Sequence, residues 1–129
     1  MTYDGTIAWL AALETTAGWD LKLERMRAAL ARRGHPEAAF PSLHVAGTNG
    51  KGSTVAMIAS MLQGCGYAVG MYTSPHVTDI RERISINGEW IGKTEFTELG
   101  KQVAHAAEKL DFEPTFFELI TAMAFKYFA

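Results

Sequence analysis

Residues 44–54 have the composition of a loop that binds an anion. They read HVAGTNGKGST and place three glycines and Lys51 between two apolar segments. The glycines allow unusual φ angles and a close approach of the backbone to a ligand, and the lysine adds a positive charge. A helix that begins near Gly52 also points its first N–H groups at this loop. These residues predict a phosphate site, where the hydroxyl of Ser53 or Thr54 binds Mg²⁺ or a phosphate oxygen.

The loop departs from two common nucleotide-binding patterns. The general phosphate-loop pattern G-x-x-x-x-G-K-[ST] requires glycine where this chain has Val45, and Ser or Thr where it has Gly52. The dinucleotide pattern G-x-G-x-x-G does not match the glycines, and residues 65–78 contain no acidic side chain that could bind a ribose. We therefore predict a nucleoside triphosphate in preference to NAD. The structural alternative, a turn that only lets a strand pack on a helix, explains one or two of the three glycines.

The elements around the loop alternate between helix and strand patterns. Asp20 is the predicted N-cap of the second helix. A strand, a crossover helix and a second strand form a right-handed parallel unit. The chain is therefore expected to have an α/β fold, a phosphate-loop three-layer unit with a parallel sheet. Periodicity predicts helices over 3–13, 21–33, 52–63, 94–110 and 116–128, strands over 42–46 and 67–73, and a hairpin in which ERISI and EWI flank Asn87-Gly88.

Composition narrows the class of protein. The chain has 129 residues, 48% of them hydrophobic, which predicts one ordinary domain with its own core. A formal net charge of -2 gives no general reason to expect nucleic acid or an anionic membrane as a partner. The single cysteine, Cys65, fits a reducing compartment. No apolar run approaches the roughly 18 residues of a membrane span, so we expect a cytoplasmic protein.

Three segments together resemble the beginning of the folylpolyglutamate synthases, including the bacterial form that also has dihydrofolate synthase activity. The segments are HVAGTNGKGST, GYAVGMYTSPH and RERISING, and the resemblance extends from about residue 3 to residue 129. This family belongs to the Mur ligase superfamily, whose phosphate loop has the short form found here. The resemblance implies that residues 1–129 are the N-terminal part of the ATP-binding domain, and that the C-terminal glutamate-binding domain is absent.

The resemblance implies ATP-dependent amide formation with release of ADP and phosphate. The carboxylate of dihydropteroate or tetrahydrofolate attacks the γ-phosphate, and the amino group of L-glutamate then displaces phosphate from the acyl phosphate. Such a reaction needs positioning and charge neutralisation, so a lysine, Mg²⁺ and backbone donors suffice at the phosphate end. The implied parent enzyme is a monomer with small-molecule substrates. The chain by itself is expected to be inactive.

Matching the family motif residue by residue assigns an ATP site and a metal ligand. Lys51 is expected to contact the outer phosphates. Ser74, after the second strand, matches a Mg²⁺ ligand, and its structural alternative is a turn serine before Pro75. His76 belongs to a family loop that covers the active site, and a solvated histidine is the alternative. The matched ATP positions are Gly47, Thr48, Asn49, Gly50, Lys51, Gly52, Ser53 and Thr54.

Two further segments resemble pteroate-binding positions. Lys22 departs from the glycine that the family often has there. Thr-x-x-Glu before an apolar run is also a helix capping box, so the second segment has a structural alternative. Arg81, Glu82 and Arg83 either bind a substrate carboxylate or form the charged flank of the hairpin. The two segments are Asp20, Leu21, Lys22 and Leu23, and Thr115, Phe116, Phe117 and Glu118.

A second hypothesis belongs to another class of protein. The same loop occurs in a stand-alone nucleotide-binding module or in a different phosphate-loop enzyme such as a kinase. A further strand that ends in an acidic residue after Ala129 would favour the ligase, whereas a natural stop codon there would favour the module.

Overall fold

The structure, a computed structural model, describes residues 1–16 and 22–129. Contacts divide the chain into two compact units. The helical unit comprises Met1–Phe40 and Lys93–Ala129, and the sheet unit comprises Pro41–Gly92. None of the helices in the described ranges has the length and apolar character needed to cross a membrane.

Five α-helices and three short strands make up the regular structure of the described residues. Short 3₁₀ turns also occur at Pro36–Ala39 and at Ile80–Arg83. In chain order, the elements are α1 (Tyr3–Thr16), α2 (Leu23–Ala31), α3 (Lys51–Gly64), β1 (Gly70–Tyr72), β2 (Ile84–Ile86), β3 (Glu89–Trp90), α4 (Lys93–Ala107) and α5 (Phe116–Phe128).

Helix α5 is the centre of the helical unit. Ile120, Met123 and Ala124 have no exposed surface, and the helix packs against α1, α2 and α4. A helix that is apolar on nearly all sides is stable only when its neighbours remove most of that surface from water. Helices α1, α2 and α4 pack against α5, and Ile120 is fully buried.

The predicted capping box fixes the start of α5. The backbone N–H of Glu118 donates to Thr115 Oγ1 at 3.2 Å, and the backbone N–H of Thr115 donates to Glu118 Oε2 at 2.8 Å. Two N–H groups that the helix leaves unpaired are thereby satisfied. The predicted bounds of this helix, 116–128, agree with the structure.

The second helix differs from its prediction at its start and on its buried face. It begins at Leu23 with Lys22 at the N-cap position, and the predicted cap, Asp20, lies outside the described residues. The apolar pattern of 21–33 predicts that Leu23 and Leu30 face inward. Leu23 is 57% exposed, whereas Leu30 is buried together with Ala29. The buried residues of α2 thus lie in its last turn. Helix α2 is in contact with α5.

The sheet is antiparallel in the described part of the chain, in the order β1-β2-β3. Residues 42–46, predicted as a strand, form no strand, and the parallel sheet is not confirmed. A strand exists only where a neighbour satisfies its N–H and C=O groups, and β1 pairs with β2 instead. The predicted hairpin is confirmed, since Asn87 and Gly88 have φ angles of 50° and 79° between β2 and β3.

Helix α3 has no buried residue among the fourteen that form it. Strand β1 packs on it, and Val55, Ile58 and Leu62 are half-buried. The apolar pattern of this helix predicts Met61 on the same face as these residues, but Met61 is 64% exposed. The short sheet is too small to bury the whole apolar face of this helix.

Helices α1 and α4 approach each other closely at Gly100. A Cβ atom on Gly100 would lie 2.4 Å from Cγ2 of Thr6. Thr6 is fully buried, and its hydroxyl donates to the carbonyl oxygen of Thr2 at 3.0 Å. Since the side chain is β-branched and bonded, it has little freedom to move away. Glycine at position 100 is therefore required by packing.

The carboxylate of Glu82 organises the segment that follows β1. It accepts hydrogen bonds from the backbone N–H groups of Val77 (2.9 Å), Thr78 (2.9 Å) and Asp79 (2.8 Å), and from the Thr78 hydroxyl at 2.7 Å. Led by the Val77 N–H and the Thr78 hydroxyl, these donors lower the pKa of Glu82 to about 2. Asp79 in turn accepts from the Arg81 N–H, which completes a capping box on the 3₁₀ turn.

The contact at Gly100 predicts the effect of adding one methyl group. Gly100→Ala is expected to lower the free energy of unfolding by about 1–3 kcal/mol, because overpacking outweighs the better helix propensity of alanine. Gly64→Ala is the matched control, since a Cβ there meets no atom within 4 Å, and its stability should stay constant or rise. Urea denaturation of both variants measures the difference, and equal unfolding free energies would contradict the close approach.

The bonds to Glu82 predict a pH dependence of stability. Because folding lowers its pKa from 4.5 to about 2, ionised Glu82 stabilises the folded state fully above the unfolded value. That contribution is lost as the pH falls through the folded value. Glu82→Gln should therefore be less stable than the parent near neutral pH, and the difference should shrink between those two pKa values.

Urea denaturation at a series of pH values measures this difference. Glu89→Gln, on exposed β3 and outside this set of bonds, controls for the loss of one negative charge. A destabilisation by Glu82→Gln that is independent of pH would show that the charge of Glu82 is not what holds the segment.

Candidate functional site

The glycine-rich loop ends at Gly50, where α3 begins. Gly50 is the N-cap residue, its φ angle is 75°, and no side chain caps the helix there. The first intrahelical bond runs from the Thr54 N–H to the Gly50 carbonyl oxygen at 3.0 Å. The preceding N–H groups are turned toward the loop and have no partner within the helix. These donors belong to Lys51, Gly52 and Ser53, and together with the helix dipole they are of the kind that can hold an anion.

The side chain of Lys51 folds back over the loop. Its Nζ donates to the carbonyl oxygens of Gly47 and Thr48, the second at 3.5 Å. The side chain is exposed, and Gly47 has a φ angle of 156°, which favours glycine. The positive charge of Lys51 is therefore held at the loop and within reach of an anion bound at the helix terminus.

Neither backbone conformation nor packing within the described residues requires glycine at position 52. Its φ angle is not positive, and a Cβ atom there would meet no atom within 4 Å. It lies in the first turn of α3, beside the open N–H groups. A bare backbone at this point leaves room for a ligand to approach.

Ser74 follows β1 at the end of the sheet unit that also holds the loop. Helix α3 has 14 residues and is about 21 Å long at ~1.5 Å per residue. Residues 67–73 return along it and cover about 23 Å at ~3.3 Å per residue. The Tyr67 N–H donates to the Leu62 carbonyl oxygen at 3.2 Å, and β1 packs on α3, so the chain turns back along the helix. From these lengths we expect Ser74 to lie near the N-terminal end of α3.

The oxygen donors at this end suit a metal ion carried by phosphate. No group of three His, Cys, Asp or Glu side chains that could hold a metal occurs in the described ranges. Exposed hydroxyls are present at Ser53 and Ser74. Mg²⁺ keeps several waters and takes few protein ligands when it is bound with phosphates. This donor set therefore fits Mg²⁺ that enters with a nucleotide.

Three consecutive residues, Arg81, Glu82 and Arg83, reach back to residues 76–79. Arg81 Nη2 donates to Asp79 Oδ2 at 2.7 Å, and Arg83 Nε donates to His76 Nδ1 at 2.8 Å. Glu82 accepts the loop N–H groups between these two contacts. Sequence reasoning left open whether these residues bind a substrate carboxylate or flank the hairpin. The structure shows each of them in contact with the segment after Pro75.

Arg25 connects the two predicted pteroate segments within the helical unit, and sequence reasoning missed it. Its Nε and Nη2 donate to the carboxylate of Glu118 at 3.1 and 3.3 Å, and Nη2 also donates to the Glu113 carbonyl oxygen at 2.6 Å. Its guanidinium lies 4.4 Å from the centroid of the Phe112 ring. The start of α2 is thereby tied to the start of α5. A buried carboxylate such as that of Glu118 needs a positively charged partner. The partner is 93 residues away, so no short-range sequence pattern could identify it.

The predicted pteroate residues differ in exposure. Thr115, Phe116 and Glu118 are buried, so the capping-box interpretation of that segment is confirmed. Phe117 is 52% exposed and Leu23 is 57% exposed, and Lys22 is also at the surface. Asp20 and Leu21 lie outside the described residues. The exposed apolar groups of these segments are therefore an aromatic ring on α5 and a leucine on α2.

Known proteins provide independent evidence on this chain. No protein-family model matches it. It is 53% identical over 111 residues to the dihydrofolate synthase/folylpolyglutamate synthase of Bacillus subtilis, an alignment that covers 83% of this chain and 26% of that protein. The folylpolyglutamate synthetase structure from Lactobacillus casei matches with a TM-score of 0.91 and 36% identity over 99% of this chain and 33% of that one. A folylpolyglutamate synthase complex with AMPPCP and folate matches with a TM-score of 0.90 and 36% identity over 99% of this chain and 32% of that one.

The matches agree with the resemblance found in the sequence. The chain spans about a quarter to a third of the length of these relatives. Nearly all of its own length is covered by the structural matches. This chain is homologous to the N-terminal part of the folylpolyglutamate and dihydrofolate synthases.

Proposed function

We propose that this chain is the N-terminal part of the ATP-binding domain of a ligase that joins L-glutamate to folate or dihydropteroate. The observation that carries the proposal is the uncapped, glycine-preceded start of α3 with Lys51 beside it. The relatives support it, because one of them is a folylpolyglutamate synthase complex with AMPPCP, an ATP analogue, and folate. The activity is that of a whole protein, of which this chain corresponds to about a third.

In the proposed reaction, the substrate carboxylate attacks the γ-phosphorus of ATP and ADP leaves. The amino nitrogen of L-glutamate then attacks the acyl carbon, phosphate leaves, and the nitrogen loses a proton as the amide forms. The open N–H groups at the start of α3 hold phosphate oxygens, and Lys51 moves from its carbonyl partners to the outer phosphates. Fixed donors aimed at developing phosphate charge lower the barrier without needing a nucleophilic side chain.

The hydroxyls of Ser53 and Ser74 are the residues that would hold Mg²⁺. When bound, the ion neutralises phosphate charge. Both serines are exposed, and the length of α3 matches the return of residues 67–73 along it. Ser53 lies in the first turn of α3 and Ser74 follows β1, so each offers one hard oxygen at the same end of the unit.

The pteroate site is proposed for the surface formed by the starts of α2 and α5. Phe117 offers an exposed aromatic face for a flat pterin ring, and Leu23 offers exposed apolar surface. The ion pair between half-buried Arg25 and buried Glu118 holds the two helix starts together. In this arrangement Thr115 and Glu118 act through the backbone of α5, which positions Phe117.

Binding of Mg-ATP to the 129-residue chain tests the phosphate site. Lys51→Ala should weaken binding by about ten- to a hundredfold, the loss of one charged hydrogen bond worth ~1.5–3 kcal/mol. Gly52→Ala should weaken it too, because the added methyl group occupies ligand space, while leaving the unfolding free energy unchanged or higher. Isothermal titration calorimetry measures the affinities.

Lys109→Ala is the matched control for the loss of a lysine charge, since Lys109 is exposed and lies after α4. Gly64→Ala, at the other end of α3, is the control for Gly52→Ala. Parent-like affinity in both Lys51→Ala and Gly52→Ala would refute the phosphate-loop assignment.

Removal of the Ser74 hydroxyl tests the metal assignment. Ser74→Ala should raise the Mg²⁺ concentration needed for half-maximal ATP binding, because a hard cation loses one oxygen ligand. Ser60→Ala, an exposed serine within α3, is the control. Titration of Mg²⁺ at fixed ATP gives the midpoint, and an unchanged midpoint would return Ser74 to the role of a turn residue. Glutamate-dependent ADP release is expected from a longer ligase and not from this chain alone.

A further inference from the structure

The contact between Arg83 and His76 determines which ring nitrogen of the histidine carries a proton. The Nε of arginine has one hydrogen and can only donate. Since it lies 2.8 Å from His76 Nδ1 in bonding geometry, Nδ1 is the acceptor. The proton of the ring therefore belongs to Nε2.

Arg83 is well placed to hold the ring in this state. Its side chain is buried, with 7% of the residue exposed. Its carbonyl oxygen accepts the backbone N–H of Thr73 at 3.0 Å, which ties Arg83 to the end of β1. The chain between these anchors, residues 73–76, is therefore fixed at one end by a backbone bond and at the other by the histidine contact. The bonds of Glu82 hold the next three residues in the same way.

The remaining nitrogen, Nε2, is available to a ligand. No residue within the described ranges forms a hydrogen bond with it, and the ring is only half-buried. The chain turns back along α3 after Tyr67, whose N–H donates to the Leu62 carbonyl oxygen, and β1 packs on that helix, so we expect residues 74–76 near its first turn. A ring N–H at this position adds one donor to the backbone N–H groups of the phosphate loop.

We propose that Arg83 fixes His76 as the Nε2–H tautomer, and that this N–H donates a hydrogen bond to a phosphate oxygen of the nucleotide bound at the loop. Arg83 is then a positioning residue and His76 a binding residue. The ligand identity in this inference rests on the proposed function, whereas the tautomer follows from the contact alone. The same contact leaves Nε2 of His76 as the donor toward the ligand.

Nuclear magnetic resonance of the ¹⁵N-labelled chain tests the tautomer directly. Long-range ¹H–¹⁵N correlation spectra of the imidazole rings should show an unprotonated Nδ1 and a protonated Nε2 for His76. His76→Asn identifies the resonances among those of the four histidines in the chain. A protonated Nδ1 at neutral pH in the parent chain would overturn the proposal without any variant that disturbs folding.

Substitution of Arg83 tests its positioning role. Arg83→Lys retains the charge but lacks the Nε donor, so His76 should change to a mixture of tautomers. Arg27→Lys, at an exposed position on α2, is the matched control and should leave the His76 signals unchanged. An unaltered tautomer in folded Arg83→Lys would show that Arg83 does not set the state of the ring.

Addition of Mg-ATP tests the ligand contact. The Nε2 signal of His76 should shift together with the backbone amides of Gly50–Ser53, and His76→Phe should weaken binding about tenfold, as expected for one hydrogen bond to a charged group. Amide shifts at the loop without any change at His76 would overturn this inference and leave the phosphate site intact. Absence of shifts at both places would overturn the phosphate site and the His76 contact together.

Discussion

The start of α3 leaves backbone N–H groups without partners, and the sheet unit is arranged around that constraint. A helix usually satisfies these groups with a capping side chain, as α5 does with Thr115 and Glu118. Gly50 has no side chain to offer, so the donors remain open. Lys51, Gly52 and Ser53 are exposed, so water can satisfy these donors. The same donors are open to an anion that displaces that water.

Two glutamate carboxylates, Glu118 and Glu82, accept hydrogen bonds from backbone N–H groups, but in different surroundings. Glu118 is buried and combines a capping box with a pair to Arg25, so it holds two helices as well as one helix end. Glu82 instead accepts hydrogen bonds from three loop N–H groups and a hydroxyl. The first tightens packing in the helical unit. The second shapes the segment that carries His76 in the sheet unit.

The proposed chemistry agrees with the groups that are present. Amide formation from ATP requires donors for phosphate oxygens and charge neutralisation, and it does not require a nucleophilic side chain. The described residues offer a helix terminus, one lysine and exposed hydroxyls at one end of α3. The same residues contain no cluster of acidic, histidine and cysteine side chains for a metal. The proposed reaction rests on the family resemblance, and the local geometry offers groups of the kind that it needs.

Sequence by itself determined the features that depend on neighbours a few residues apart. The helix at 116–128, its capping box, the Asn87-Gly88 turn and the glycine-lysine loop were all predictable, because each depends on bonds or φ angles within a short stretch. Tertiary structure decided the pairing of β1 with β2, the exposure of Leu23, and the contact of Arg25 with Glu118 across 93 residues. It also decided that Arg81, Glu82 and Arg83 turn back toward residues 76–79. These outcomes depend on which surfaces and unpaired groups meet when the chain is compact. Periodicity along the sequence does not predict which of them meet.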